Sequence, residues 1–463
     1  MNKPILYLFS LVILCSIFTG AQFDNTVVFI HDMEVPLEVA STKSIVISIL
    51  IAIFVGGVFF TLRNRTSEKD KLFLAIIDGH YDMIQTLINN QADINVKHEG
   101  YTALILAAER GHTNIVQALI DANADVNGKH DHGYTALHVA AGKGHTDIVQ
   151  AFIHANADVN VQDKHGETAL MQAVYHQKID TVQILIHANA DVNLKHIEEY
   201  TALMLAATQG YIDIVKVLIH ANADVNVQND EGFTVLMAAI DNGHTDIAQA
   251  LIHANANLNL QDMDGQTALM LASVKGQKDV VQALIRANAD VNLRHDHGYT
   301  ALHVAIAGKT ALMAQAEEET QNIVNPLIPD NAGVNMKHIE EYTISMLAAR
   351  MYIDIVNILI DANANVNIKN NNGVTALMLA ASQGHIDMVQ ALIQANADVN
   401  VQNDHGYTAL IAAASIGHQD IVQVLLHAKA DTSLQTMEGK TALDIAKSLE
   451  NDELITLLSN AEM

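Results

Sequence analysis

The stretch GYTALILAAERGHTNIVQALIDANADVNGKHDH, residues 100 to 132, decides the fold. Thr102 stands where its hydroxyl can accept from the free N–H groups of a first helical turn, and Leu104, Ala107 and Ala108 behind it form one buried side. Gly111 ends that helix. A second one starts near Asn114, whose place is taken elsewhere by Asp147, Asp180, Asp213 or Asp246, groups suited to the positive end of a helix. Ile115, Val116, Leu119 and Ile120 then recur at the three- and four-residue spacing of a single apolar face. Asn123 falls where the chain leaves the helix through a left-handed conformation, which Gly and Asn accept most readily. Ala-Asp-Val-Asn and a polar loop lead onward.

The phrase that opens this stretch returns every 33 residues: Gly133-Tyr-Thr-Ala-Leu, Gly166-Glu-Thr-Ala-Leu, Glu199-Tyr-Thr-Ala-Leu, Gly232-Phe-Thr-Val-Leu, Gly265-Gln-Thr-Ala-Leu and Gly298-Tyr-Thr-Ala-Leu. It continues at 341, 373, 406 and 439. A chain of 463 residues would ordinarily divide into several domains, but a stack of short units grows without enlarging any one core.

Taken in order, the period, the Thr-x-Leu phrase, Ala-Ala, Gly-His, Ile-Val, Leu-Ile and Ala-Asp-Val-Asn resemble the ankyrin repeat over about 85% of the chain. The resemblance implies an all-α solenoid of paired antiparallel helices with loops projecting from one edge, in about twelve units counting caps at 68–99 and 439–463. Two departures are systematic. The family's Thr-Pro-Leu-His becomes Thr-Ala-Leu-Met in most units, with His kept at His138 and His303, which implies loss of a polar contact between units where Met replaces it. The family's Gly before Ala-Asp becomes Asn at 123, 156, 189, 222, 255, 288, 331, 363 and 396.

One unit is doubled. Gly298-Tyr-Thr-Ala-Leu is followed ten residues later by Gly308-Lys-Thr-Ala-Leu. Residues 131–140 recur at 296–305, an offset of 165 or five periods, whereas Lys195-His-Ile-Glu-Glu-Tyr-Thr recurs at Lys337 with an offset of 142, so 23 residues are missing. This leaves 298–307 as an orphan start with no second helix, ahead of a full-length unit at 308–340. Pro326 and Pro329 fall inside that unit's expected second helix, where an interior Pro costs about 3 kcal/mol relative to Ala. The expected division is therefore an arm at 68–297, an irregular joint at 298–360 and a second arm at 361–463.

Ahead of the repeats, Lys3, the apolar run from Ile5 to Phe18 and Thr19-Gly20-Ala21 follow the order of a secretory signal at 1–21. A short extracytoplasmic segment at 22–44 leads to an uncharged run at 45–62, read as a transmembrane helix, and a linker at 63–67. Arg63, Arg65, Lys69 and Lys71 then place the array on the cytoplasmic side of a single-pass membrane protein.

Composition narrows the function. Fifty-two acidic residues oppose 25 basic ones for a formal net charge of −27, which disfavours nucleic acid and favours a protein partner with a basic surface. The one cysteine, Cys15, precedes the repeats, so disulfide and thiol chemistry are absent from them. No catalytic set emerges, no stretch remains for a catalytic domain, and no cofactor is implied. The 24 histidines follow the repeat. Those after Gly, at His112, His145, His244, His385 and His418, suit turn hydrogen bonds, while His130, His132, His165, His196, His295, His297 and His338 sit near loop tips as a solvated, pH-sensitive edge.

The binding candidates are the aromatics immediately before the capping Thr: Tyr101, Tyr134, Tyr200, Phe233, Tyr299, Tyr342 and Tyr407. Each ring either packs on its neighbouring loop and stiffens it or offers a partner a large stiff surface with a polar tip. In the family, loop tips and the first-helix surface bind partners, so the resemblance implies a membrane-tethered scaffold for protein interaction. A metal- or pH-responsive sensor using the loop histidines, and an exported effector, are the alternatives.

Overall fold

A computed structural model describes residues 67–308 and 350–461. The described residues form a stack of helix pairs, beginning with Glu68–Ile77 and Tyr81–Asn89 and ending with Ala442–Ser448 and Asp452–Ala461. Ten pairs lie outside the interrupted region, and helices at 301–308 and 350–361 stand between the pair Ala268–Val274, Lys278–Arg286 and the pair Ala376–Ser382, Ile386–Gln394. Among the described residues, antiparallel pairing is confined to isolated bridges such as Gln228 with Thr234.

The unit at 100 shows why the chain folds this way. Thr102 Oγ1 accepts from Ile105 N–H at 3.2 Å and caps the helix Ala103–Arg110, and Gly111 closes it at φ 72°. Leu104, Ala107, Ala108, Ile115, Val116 and Leu119 are buried together, while Ile120 is half-buried at the edge. Burying one such Leu is worth about 1.5–3 kcal/mol, but no single pair encloses its own apolar face, so the energy is realised only between neighbours. One continuous core consequently runs from Leu72 to Leu458.

Asn123 turns out of the second helix at φ 63°, and Asn156, Asn189, Asn222, Asn255, Asn288, Asn363 and Asn396 do the same. The short polar side chain tolerates this left-handed backbone better than other residues with a Cβ. The start of the second helix differs from the expectation. His112 is its N-cap and offers no side-chain bond, while Asn114 is already helical and accepts from the adjacent Ile115 N–H at 2.9 Å. The aspartates at that place lie within the first turn, where the helix dipole still favours them.

Polar groups lock the units in register. Asn193 Oδ1 accepts from Asp224 N–H of the next unit at 2.8 Å, and Asp224 Oδ1 accepts from Asn226 N–H at 2.8 Å, so one Asn–Asp rung follows another along the edge. A parallel ladder uses glutamine. Gln228 Nε2 donates to Gly232 O at 2.6 Å within its unit and to Gln261 O of the next at 3.0 Å, and Gln261 repeats the pattern with Gly265 and Arg294.

Of the two retained histidines, His138 bridges two units, whereas the Nε2 of His303 is buried without a hydrogen-bond partner. His138 Nδ1 accepts from Thr135 N–H at 3.2 Å, which leaves Nε2–H to donate to Glu167 O of the next unit at 3.1 Å. Units with Met at this place make no such bridge; there the Thr hydroxyl caps the backbone alone, as Thr201 does for Met204 N–H at 3.3 Å. Burial pushes both His138 and His303 down from the ordinary imidazole range, His303 to about 4.

One expectation changes. Among the described residues no helix is long and apolar enough to cross a membrane. The longest helical stretch among the described residues, 350–361, covers about 18 Å at 1.5 Å per residue against a core of about 30 Å, and the finding corrects the reading as a single-pass membrane protein. The signal run at 1–21 and the apolar run at 45–62 on which that reading rested lie outside the described residues, as do Tyr342, His338, Pro326 and Pro329. Most of the fragment 298–307 lies in a buried helix at 301–308, and the described chain resumes in a helix at 350–361.

Candidate functional site

Five of the aromatics before a capping Thr are positioned by a loop that closes over four residues, while at Tyr101 the closure from His98 N–H spans three. His130 N–H donates to Tyr134 O at 2.8 Å, His196 to Tyr200 at 3.0 Å, Asn229 to Phe233 at 3.1 Å, His295 to Tyr299 at 3.0 Å and Asn403 to Tyr407 at 2.9 Å. The closure brings the loop side chain over the ring. His130 stacks on Tyr134 at 4.4 Å and 14°, His196 on Tyr200 at 5.2 Å and 5°, and His295 on Tyr299 at 5.2 Å and 8°.

All six described aromatics are half-buried, and Tyr101, Tyr134, Tyr200, Phe233 and Tyr407 also pack against the core. They therefore stiffen their loops while keeping part of each ring open to solvent. The loop histidines differ in exposure: His132, His165 and His297 are exposed, as a solvated edge requires, while His196 and His295 are half-buried. His130 is buried, with Tyr101 edge-on at 4.7 Å, and desolvation lowers the basicity of both His130 and His295. Among the described residues no group of three or more His, Cys, Asp and Glu is placed to hold a metal ion.

Tyr101 and Tyr134 open onto a groove beside their first helices. It has a volume of about 430 Å³ and is lined by these rings with Val139, Gly142, Lys143, Gln172, His176, Lys178, Glu109 and His138. Burial, and then the hydrogen bond with Tyr101, raise the phenol of Tyr134 well above its ordinary range, so it stays protonated and able to donate. Gly142 makes the hollow. Equivalent first helices carry Glu109, Tyr175, Thr208 and Asp241 there, whereas a methyl group on Gly142 would already stand 3.1 Å from His176 Cδ2. Tyr175, the matching residue one unit on, is 60% exposed, with His176 edge-on at 5.2 Å.

The sequence pointed to Tyr101 and Tyr134 but not to the rest of the groove. Gly142 was legible as a gap in a helix whose counterparts all have side chains at that position, and Glu109, Lys143 and Lys178 follow once that gap is noticed. Tyr200, Phe233, Tyr299 and Tyr407 each belong to a separate loop.

A family model described as ankyrin repeats (3 copies) matches residues 47–130, 72–163, 124–196, 141–229, 170–262, 236–313, 311–403 and 395–463. Comparison with curated proteins gives no match.

Proposed function

This chain belongs to the ankyrin-repeat family, and from that premise we propose that it is a protein-binding scaffold whose recognition centre is the groove between Tyr101 and Tyr134. The groove itself carries the reading: a first-helix face with two half-open phenols, a floor of Val139 and Gly142, and charged walls in Glu109, Lys143 and Lys178. Aromatic rings held rigid by stacked histidines lose little entropy when a partner covers them, which is what makes Tyr effective at interfaces. The partner is a protein with a basic surface, matched to the net charge of −27. The other described loop aromatics, Tyr200, Phe233, Tyr299 and Tyr407, extend the contact along the edge.

Filling the groove tests the reading without touching the core. Gly142→Trp, at a helical position that equivalent units fill with larger side chains, should leave the far-UV circular dichroism unchanged and abolish capture of a discrete protein partner. Capture undiminished by both Gly142→Trp and Tyr134→Ala would overturn the assignment.

A further inference from the structure

We infer that residues 298–308 and 351–372 form one repeat whose two helices are separated in sequence by a 42-residue insertion, so that the first-helix face continues unbroken through the doubled phrase. Three kinds of contact that recur at fixed separations elsewhere in the stack carry this inference. The Asn rung joins residues 31 apart, as in Asn193 with Asp224, but Asn292 Oδ1 receives Asn365 N–H at 2.8 Å across 73 residues. Asp296 N–H reaches Asp264 O 32 residues back, whereas Asn371 N–H reaches His297 O at 3.0 Å, 74 residues back. His244 Nε2 meets Thr208 O 36 residues away, and Tyr352 Oη donates to Val274 O at 2.6 Å over 78. Each separation is lengthened by 42.

Sequence spacing closes on the same number. Gly298 and Gly373 are 75 residues apart, one period of 33 plus 42, and the 11 residues 298–308 joined to the 22 residues 351–372 restore a 33-residue unit. The join is tight in space, since a Cβ on Gly308 would stand 2.9 Å from Tyr352 Cε1 and 2.8 Å from Val274 O. Lys278 Nζ pairs with Asp354 at 2.7 Å, and Arg294 Nη2 with Asn371 Oδ1 at 3.0 Å, sealing both ends of the composite unit against the one before it.

Packing shows why the first copy suits the place it occupies. The seventh residue after the opening Gly or Glu is Ala107, Ala140, Ala173, Ala206, Ala239 and Ala272 in the preceding units, and every one has 0% exposure. The first copy supplies Ala305 and then Ile306, both closed in the same way. The second would bring Gln315 to that place, and a buried amide without partners costs far more than a buried methyl. On the proposed recognition reading, a single extended partner therefore meets one continuous row of first helices instead of two jointed arms.

The test needs no partner, so it stands or falls apart from that reading. In the full chain, Leu302→Ala should lower the melting temperature by several degrees and speed exchange at Val304 and Asn371 N–H, while Leu312→Ala, the same change in the second copy, has the smaller effect on both. Deleting 309–350 should keep those two amides protected. A loss at Leu312→Ala equal to or larger than that at Leu302→Ala, or an Asn371 amide in the unaltered chain exchanging like an unstructured peptide, would overturn the inference.

Discussion

His303 gives the composite unit a measurable response to acid. Its Nδ1 faces Thr300 N–H at 3.4 Å and Thr300 Oγ1 at 2.9 Å, so the neutral ring is the form that fits, and burial holds its pKa at about 4. The unfolded chain titrates near the ordinary 6.5. Because the folded value is depressed, the stabilisation is complete above the unfolded pKa and is lost as pH falls from 6.5 toward 4. Between pH 7 and pH 5 the linkage amounts to roughly 2 kcal/mol, or about 20-fold in the local opening equilibrium. Native-state hydrogen exchange at Val304 N–H, which bonds to Thr300 O at 3.1 Å, reads that opening directly once corrected for the intrinsic rate. His303→Met restores the residue found at the equivalent Met204, Met237, Met270 and Met378, each capped by its own Thr, and should make the Val304 opening nearly independent of pH over this range. If the Met variant keeps the wild-type pH dependence at Val304, the linkage to this imidazole is wrong.

Other outcomes follow from the ladders and turns. Gln228→Ala removes one donor from two carbonyls at 2.6 and 3.0 Å and should cost about 1–2 kcal/mol in urea denaturation, against a few tenths for the exposed Gln150→Ala. Gly111→Ala places a side chain at φ 72° and 3.0 Å from the His145 ring, and should lower stability by about 1 kcal/mol or more. Partner capture should weaken as ionic strength rises from 0.05 to 0.5 M if a basic surface meets this acidic array; an increase with salt would point to an apolar contact instead.

Much of this was legible because each unit states its own local rules. Thr at the cap, Asn at the left-handed exit and the Ile-Val, Leu-Ile face depend on neighbours within one turn, and the structure places Thr102, Asn123, Ile115 and Leu119 as those rules require. Features created between units were harder to see. Nothing within one period marks Gln261 as a bridge to Arg294 O, or Asn193 as the acceptor for Asp224, because the partner lies about a full unit away. The docked copy of the doubled phrase was obscured by the shared Thr-Ala-Leu; the deciding difference, Ala305 against Gln315, becomes telling only when that position is known to be closed. The apolar run at 45–62 misled in another way, by suggesting a location for an array that its own residues do not fix.

Site-specific photo-crosslinking tests the central claim most directly. A photoreactive phenylalanine analogue in place of Tyr134, in the groove, is compared with the same analogue at Gln150, exposed on the second helix of the same unit. The scaffold account predicts a discrete protein adduct from position 134 that disappears with Gly142→Trp, and none from position 150. Adducts formed equally from both positions, or from 150 alone, would place recognition on the opposite face and contradict it.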